Sequence, residues 1–567
     1  MGLITTNLAS CRDCYKCVRH CPVKAIRVTS GHAEVIENRC VADGRCVAVC
    51  PQKAKKFVSS IDKVKGFFAA RLPVAASLAP SFVAAYPKYP LAAALRQLGF
   101  AYVAETAEGA DLVAKAHRQA VAAAGAAGRG PVITSCCPVI VNLIEMYHPE
   151  LRRYLADVVS PMVAHGKILK QRYGAAVKVV FIGPCIAKKG EIDTAAAGPE
   201  IDAVLTFQEL NEMLQAAGID PAELGADVFD GPVSLKAETF PTPGGLAHTV
   251  AMSTDLLARD IVSIDGMEES IAFLERFDET KDSLKLIELL ACRGGCLAGP
   301  CMTGELSPMA RRNRLLQETA GSQDVLPEET APCEKCGPRR IWPAFKAVHD
   351  TVSEAEIRAI LAKTGKYKPE DELNCGACGY DTCREKAKAV SIGMAEVDMC
   401  IPYMRQKAES RAHLICEMTP NAIFVVDREM RILEMNPAAE NRFLCRQDKI
   451  MGQKLDVLFD PKYYVEALQT RQMVAGEVSY PNYGLVAWQI IFYVEGDDVV
   501  IGIYLDITAE RQQNEQLSKV TAETLDKAQE VINKQMRVAQ EIAGLLGETT
   551  AETKVLLTKL MNLFQKQ

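Results

Sequence analysis

The sequence lacks any excess of positive charge. Its 65 lysines and arginines face 71 aspartates and glutamates, a formal charge of −6 over 567 residues. A mildly acidic surface argues against nucleic acid or an anionic membrane as the main partner. Long apolar runs are missing too. Lys, Arg or Pro interrupts every stretch short of the roughly 18 residues that a membrane span needs. Met1–Ser10 has neither the basic head nor the apolar run of a secretory signal, so a cytoplasmic protein is expected. Histidine (8) and tryptophan (2) are scarce, yet 49% of the residues are apolar, which excludes global disorder. The length suggests about four domains. Against these absences stand 21 cysteines. In a reducing compartment they are metal ligands, reactive thiols or core filler, not disulfides.

Seven of the cysteines fall before residue 51. In Cys11-x2-Cys14-x2-Cys17-x3-Cys21-Pro22, three close thiolates clamp one [4Fe–4S] cube and the fourth serves a second. A second run, Cys40, Asp43, Cys46 and Cys50-Pro51, repeats the pattern with Asp43 where a cysteine belongs. Residues 1–60 thus resemble a two-cluster ferredoxin module. Crossed pairing gives cluster one Cys11, Cys14, Cys17 and Cys50, and cluster two Cys21, Cys40, Cys46 and Asp43. A carboxylate is a harder, weaker iron ligand than a thiolate, so cluster two is expected to lose an iron readily and become [3Fe–4S].

From about residue 66 helices alternate with short apolar strands, predicting an α/β domain over 66–350. Three strands run into cysteine loops. Pro131-Val132-Ile133 enters Thr134-Ser135-Cys136-Cys137-Pro138, and Val177–Ile182 enters Gly183-Pro184-Cys185-Ile186-Ala187-Lys188-Lys189. Leu286–Leu290 enters Ala291-Cys292-Arg293-Gly294-Gly295-Cys296. Loops at strand C-termini are where open α/β sheets gather ligands. In this order the three motifs resemble the catalytic domain of [FeFe]-hydrogenases. The resemblance implies that Cys137, Cys185, Cys292 and Cys296 hold a [4Fe–4S] subcluster. It implies that Cys296 also bridges to a two-iron centre carrying carbonyl and cyanide, with Lys188 and Ser81 on the cyanides. Cys136 is then the thiol that passes protons, as heterolytic cleavage of dihydrogen requires beside an open metal site.

Several positions depart from that family. Pro138-Val139-Ile140 stands where Pro-Gly-Trp is usual, Gly183 and Leu290 replace two methionines, and Met162 replaces a glutamine. The family's proton path of two glutamates and a serine becomes His117, Ala120 and Ala156, leaving only His117 able to titrate near neutral pH, with a solvated helix-surface histidine as the alternative. A slow site suits a sensor. Cys301 with Cys333-x2-Cys336 offers three ligands for a further cluster, or three reduced loop thiols.

Cys375-x2-Cys378-x4-Cys383-x16-Cys400, with Gly376 and Gly379 after the first two thiols, resembles a small helical [4Fe–4S] domain over 354–408. An all-thiolate zinc site is the alternative. By its place in the chain this module is expected between the hydrogenase-like domain and everything downstream. Residues 410–508 resemble a PAS domain, entering at Leu414–Val426 and leaving through Asp506-Ile507-Thr508-Ala509-Glu510-Arg511. No histidine occurs between Leu414 and Thr508, which argues against a histidine-ligated haem. In the tail, 509–567, a stripe of Leu517, Thr521, Thr524, Ala528, Val531, Gln535, Val538, Ile542 and Leu545 repeats at the seven-residue period of a two-helix coiled coil. Packing of that helix on its own domain is the alternative. Gly547 is expected to break the helix before a last apolar segment, Val555–Phe564.

The expected architecture is a multidomain α/β and α+β chain of ferredoxin-like, hydrogenase-like, small [4Fe–4S], PAS and signalling-helix parts. It implies about four [4Fe–4S] clusters plus the two-iron group, with dihydrogen and protons as reactants. The architecture implies a hydrogen sensor dimerising through its PAS and helical tail, with a redox partner such as ferredoxin and a signalling kinase or phosphatase. A catalytic, ferredoxin-linked hydrogenase and a redox sensor without the two-iron centre are the alternatives.

Overall fold

A computed structural model describes residues 2–192, 198–232, 237–249, 260–320, 348, 351–546, 555 and 559. Cys333, Cys336, Gly547 and most of Val555–Phe564 lie outside the described residues. The chain divides into two compact units, Met1–Met404 and Arg405–Gln567. Among the described residues no helix is long and apolar enough to cross a membrane.

The first unit opens with two small antiparallel pairs. Strand β1 (Ile4–Thr6) pairs with β4 (Lys55–Phe57), while β2 (Ile26–Thr29) and β3 (His32–Val35) form a hairpin. The hairpin turns through Ser30 and Gly31, at φ 50° and 77°, the two left-handed positions that a tight two-residue turn requires. The short helix α1 (Lys16–His20) carries Cys17, and Cys21 follows it. Val18, Ile26 and Val28 are buried beneath it with the thiols of Cys17, Cys21 and Cys46.

The α/β part holds two parallel sheets. The first has the order β6 (Tyr102–Glu105), β5 (Val74–Leu78), β8 (Lys178–Gly183), β9 (Ala203–Thr206). The second has the order β10 (Ile261–Asp265), β11 (Leu286–Leu290), β7 (Val132–Ile133). Every residue of β5 and β11 is buried, as parallel strands covered on both faces should be. Helix α2 (Ala107–Ala126) follows β6 and packs along α3 (Pro161–Tyr173). β7 is two residues long and forms the edge of the second sheet, paired with β11 and bridged at Ile133 to Leu155.

The small cysteine module docks on the ferredoxin-like residues. Arg19 donates from Nη1 to the Ala377 carbonyl and from Nη2 to the Cys14 carbonyl, both at 2.9 Å. Lys24 Nζ donates to the Gly379 carbonyl at 2.9 Å, and Val28 N to the Met394 carbonyl at 3.0 Å. Chain order alone had suggested a neighbour further downstream. The hydrogen bonds and the buried Tyr380 tie it to α1 instead.

The second unit is a five-stranded antiparallel sheet, ordered β13 (Ile432–Met435), β12 (Ala422–Val426), β16 (Val499–Asp506), β15 (Leu485–Val494), β14 (Val474–Tyr480). Phe424, Phe443, Tyr464 and Tyr504 fill its core, with the Tyr504 hydroxyl donating to Tyr464 Oη at 3.0 Å. Helix α4 (Thr508–Leu546) begins where Thr508 Oγ1 accepts from Val486 N at 2.9 Å. Its stripe is exposed at Leu517 (66%), Val531 (58%) and Ile542 (51%), so packing on its own unit does not cover it.

Gly379 adopts φ 96°, and a Cβ there would stand 2.9 Å from Val18 Cγ1. Gly393 adopts φ 72° with nothing within 4 Å. Gly379→Ala is therefore expected to destabilise the first unit by about 2–3 kcal/mol and Gly393→Ala by about 1 kcal/mol in denaturant melts. Equal costs would show that the contact with Val18 contributes nothing.

Candidate metal centres and active-site recess

The cysteines gather into four groups. Cys11, Cys14, Cys17 and Cys50 line one small recess, the set that crossed pairing predicts. Cys375, Cys378, Cys383 and Cys400 line another. Cys21, Cys40, Cys46 and Asp43 lie close enough for each thiol to feel the Asp43 charge. Burial pushes Cys21 up to about 12 and Cys40 up to about 11. Thiols that resist ionisation so strongly become thiolates only against a cationic centre.

The fourth group surrounds a cavity of about 100 Å³ where the loops after β7, β8 and β11 converge. Cys136, Cys137, Cys185, Cys292, Cys296, Lys188 and Ser81 all line it, with Met162, Phe181, Phe240 and Leu290 supplying apolar wall. Cys296 is exposed to this recess, and desolvation by the surrounding protein pushes its thiol up to about 12. Cys185 is pushed up to about 11 by the same cause, which also raises Cys136 and Cys292 well above the ordinary thiol value. Lys188 Nζ donates to Glu191 Oε2 at 2.7 Å and to the Cys136 carbonyl at 3.5 Å, which holds the cation at the recess wall. Ser81 Oγ is buried and makes no hydrogen bond. An orphaned hydroxyl and an ammonium on one cavity wall fit an anionic ligand between them.

Asp43 lines the recess as well, and its charge reaches Cys292. Burial raises its carboxyl to about 6, although Arg45 Nε lies 3.7 Å away. Gly44 permits this approach: at φ 74° it brings the turn to where a Cβ would stand 2.7 Å from Ile186 Cδ1 and 2.8 Å from Pro300 Cγ. Asp43 thus stands between the second thiol group and the recess. Spacing identified the residue but could not show that it faces both.

Residues 72–300 match the family described as iron only hydrogenase large subunit, C-terminal domain. That segment is similar to an iron-only hydrogenase domain. Residues 3–51 match a 4Fe-4S dicluster domain, and residues 371–402 the FeS family. The periplasmic [Fe] hydrogenase large subunit of Nitratidesulfovibrio vulgaris is 29% identical over 383 residues, 55% of this chain and 89% of the relative. The NADP-reducing hydrogenase subunit HndD of Solidesulfovibrio fructosivorans is 26% identical over 398 residues, 56% of this chain and 68% of the relative. The cytosolic Fe-S cluster assembly factor NAR1 of Kluyveromyces lactis is 28% identical over 154 residues, 25% of this chain and 33% of the relative. Among solved structures, [FeFe]-hydrogenase HydA1 from Chlamydomonas reinhardtii overlays at TM-score 0.37 and 20% identity, covering 46% of this chain and 88% of that one. A PAS domain of an HTR-like protein from Haloarcula marismortui overlays at TM-score 0.16 and 20% identity, covering 18% of this chain and 95% of that one.

Within the hydrogenase-like segment one expectation is overturned. His117 is fully buried, not a surface residue, and cannot titrate near neutral pH. Its Nδ1 donates to the Val113 carbonyl at 2.8 Å, its Nε2 accepts from Ser135 N at 3.3 Å, and burial lowers it to about 4. It orients the residue before Cys136, and with both nitrogens committed it relays no proton. Gly183 leaves room that Phe181 takes, since a Cβ would stand 2.9 Å from the Phe181 ring. Cys301 is buried, and its thiol is pushed up to about 12 by burial, with Thr206, Glu209 and Lys189 around it.

Glu288, on β11, went unnoticed in the sequence because it resembles any strand glutamate. It is fully buried, accepts from Leu246 N at 3.2 Å, and burial raises it to about 7 from an ordinary 4.5. A carboxyl raised on folding costs nothing while protonated in both states. Stability is lost as pH climbs from about 4.5 and the loss is complete above about 7, on the order of 3 kcal/mol. Denaturant melts at acid and alkaline pH should show this slope in the unsubstituted protein and a flatter one in Glu288→Gln. Parallel profiles would count against the buried acid.

Proposed function

We propose that this chain is a hydrogen-responsive [FeFe]-hydrogenase. One observation carries the proposal: Cys136, the four cube cysteines, Lys188 and Ser81 line a single cavity. Cys137, Cys185, Cys292 and Cys296 would hold a [4Fe–4S] cube, and Cys296 with Lys188 and Ser81 would hold a two-iron group carrying carbonyl and cyanide. That group supplies the open metal position at which dihydrogen is split. The chain's own residues do the remainder. Lys188 and Ser81 bind anionic ligands, Phe181, Phe240, Met162 and Leu290 exclude water, and Cys136 holds a proton on Sγ because burial disfavours its thiolate.

Cys11, Cys14, Cys17 and Cys50 would bind one ferredoxin-type cube. Cys21, Cys40, Cys46 and Asp43 would bind the second, and Cys375, Cys378, Cys383 and Cys400 a further one on α1. About four cubes then link the recess to the surface. Cytoplasmic residence, a ferredoxin-like redox partner, a PAS role for the second unit, pairing of two chains along the exposed stripe of α4 and a kinase or phosphatase partner belong to the same proposal. The likeness to assembly factor NAR1 favours a second reading, an iron–sulfur protein without the two-iron group.

Infrared spectroscopy of protein matured with the two-iron group separates them. Carbonyl and cyanide bands that shift under dihydrogen are expected; bands that never form favour the second reading. Cys136→Ala should keep the bands and slow hydrogen–deuterium exchange about a hundredfold or more. Undiminished exchange would remove Cys136 from the proton path.

A further inference from the structure

The recess has a polar way out on the side away from His117. Thr106 follows β6 and lines the recess. Its Oγ1 is 2.8 Å from Ser77 Oγ on β5, and Ser77 Oγ is 2.7 Å from His165 Nδ1 on α3. His165 Nε2 lies 3.7 Å from Glu108 Oε2 on α2, and Arg172 Nη1 donates to the same Glu108 oxygen at 3.0 Å. Ser77, Thr106 and His165 are buried, whereas Glu108 and Arg172 keep 18% and 29% of their side chains exposed. The line therefore starts at the recess wall and ends at solvent.

Its surroundings are apolar: Ala75, Val163, Ala164 and Phe181 pack in the same cluster. Polar groups in such a core are costly unless joined to one another. Gly109 allows the joining. A Cβ there would stand 2.6 Å from the Pro161 carbonyl oxygen and 2.7 Å from His165 N, so a larger residue would hold α2 off α3 and Glu108 off His165. His165 Nε2 makes no hydrogen bond, and the Glu108 carboxylate faces it from 3.7 Å; a proton on Nε2 directed at that charge leaves Nδ1 to accept from Ser77, whose oxygen accepts from Thr106. Burial lowers the His165 pKa against the pull of Glu108, which keeps the ring neutral and able to relay.

We propose that Thr106, Ser77, His165 and Glu108 form the proton line of the recess, replacing a path that keeps no working carrier in this chain. The proposal rests on the hydrogenase reading above. A proton released in the recess binds Thr106 Oγ1 as the Thr106 hydroxyl proton moves to Ser77 Oγ. The Ser77 proton moves to His165 Nδ1, and the Nε2 proton moves to the Glu108 carboxylate. One proton enters, one leaves and no electron moves. Rotation of the two hydroxyls and return of the imidazole tautomer reset the line.

Two measurements test it. The first needs no two-iron group. In protein labelled with 15N-histidine, the His165 resonances, identified by their loss in His165→Gln, should report a neutral ring protonated on Nε2 at neutral pH. A proton on Nδ1, or a charged ring, overturns the line. The second uses loaded protein. Thr106→Val, which keeps the shape and removes the hydroxyl, and Glu108→Gln should each slow exchange between deuterium gas and water about a hundredfold, while Thr106→Ser restores it. A merely structural network would make exchange follow melting temperature instead of the hydroxyl. Wild-type exchange in Thr106→Val and Glu108→Gln overturns the line and leaves the hydrogenase reading standing. Carbonyl and cyanide bands indifferent to dihydrogen in the unsubstituted protein overturn that reading first, and this proposal with it.

Discussion

Sulfur packed against sulfur in a dry interior is the constraint on which the first unit depends. Burial drives the thiols of Cys21, Cys40, Cys185 and Cys296 two to three pH units above the ordinary value of about 9, and each neighbouring thiolate would drive them further. Without positive charge among them such groups stay protonated and have little reason to converge. A cationic cluster reverses the balance, since it attracts several thiolates at once and makes their proximity favourable. The folding of these loops and the chemistry of metal binding are one equilibrium.

Geometry then decides which thiols meet. Two short parallel sheets present their C-terminal loops to a common cavity, and small residues at the contacts let loops approach one another. Gly44 lets the turn bearing Asp43 press on Ile186 and Pro300, and Gly109 lets α2 press on His165. A carboxylate therefore reaches the edge of the recess, and a hydroxyl–imidazole–carboxylate line leaves it. Charge in the first unit is handled by such local pairs, Lys188 with Glu191 and Glu108 with Arg172, while apolar walls keep the dielectric low between them.

The second unit is built on different physics. Its core is aromatic: Phe424, Phe443, Tyr464 and Tyr504 interlock, and Tyr464 occupies the space above Gly502, where a Cβ would stand 1.9 Å from its hydroxyl. No two of its cysteines have the close spacing of a ligand set. The exposed stripe of α4 has the seven-residue period of a helix that pairs with another.

Spacing along the chain is enough to identify ligand sets, because iron–sulfur clusters impose short fixed intervals on the thiolates that bind them. Cys11 to Cys17 and Cys375 to Cys400 were legible for that reason, as were the three strand-to-cysteine loops. The polar residues that serve a cavity obey no such interval. Ser77, Thr106, Glu108 and His165 lie on two strand ends and two helices spread over some 90 residues, and each taken alone is an ordinary residue. His117 shows the opposite error, since a helical histidine beside an active-site motif suggests a proton carrier until its two nitrogens are seen committed to Val113 and Ser135. The sequence by itself determined which atoms can bind iron; only the tertiary structure decided which polar atoms touch, because hydrogen bonding depends on ångström distances that distant parts of a chain acquire only by packing.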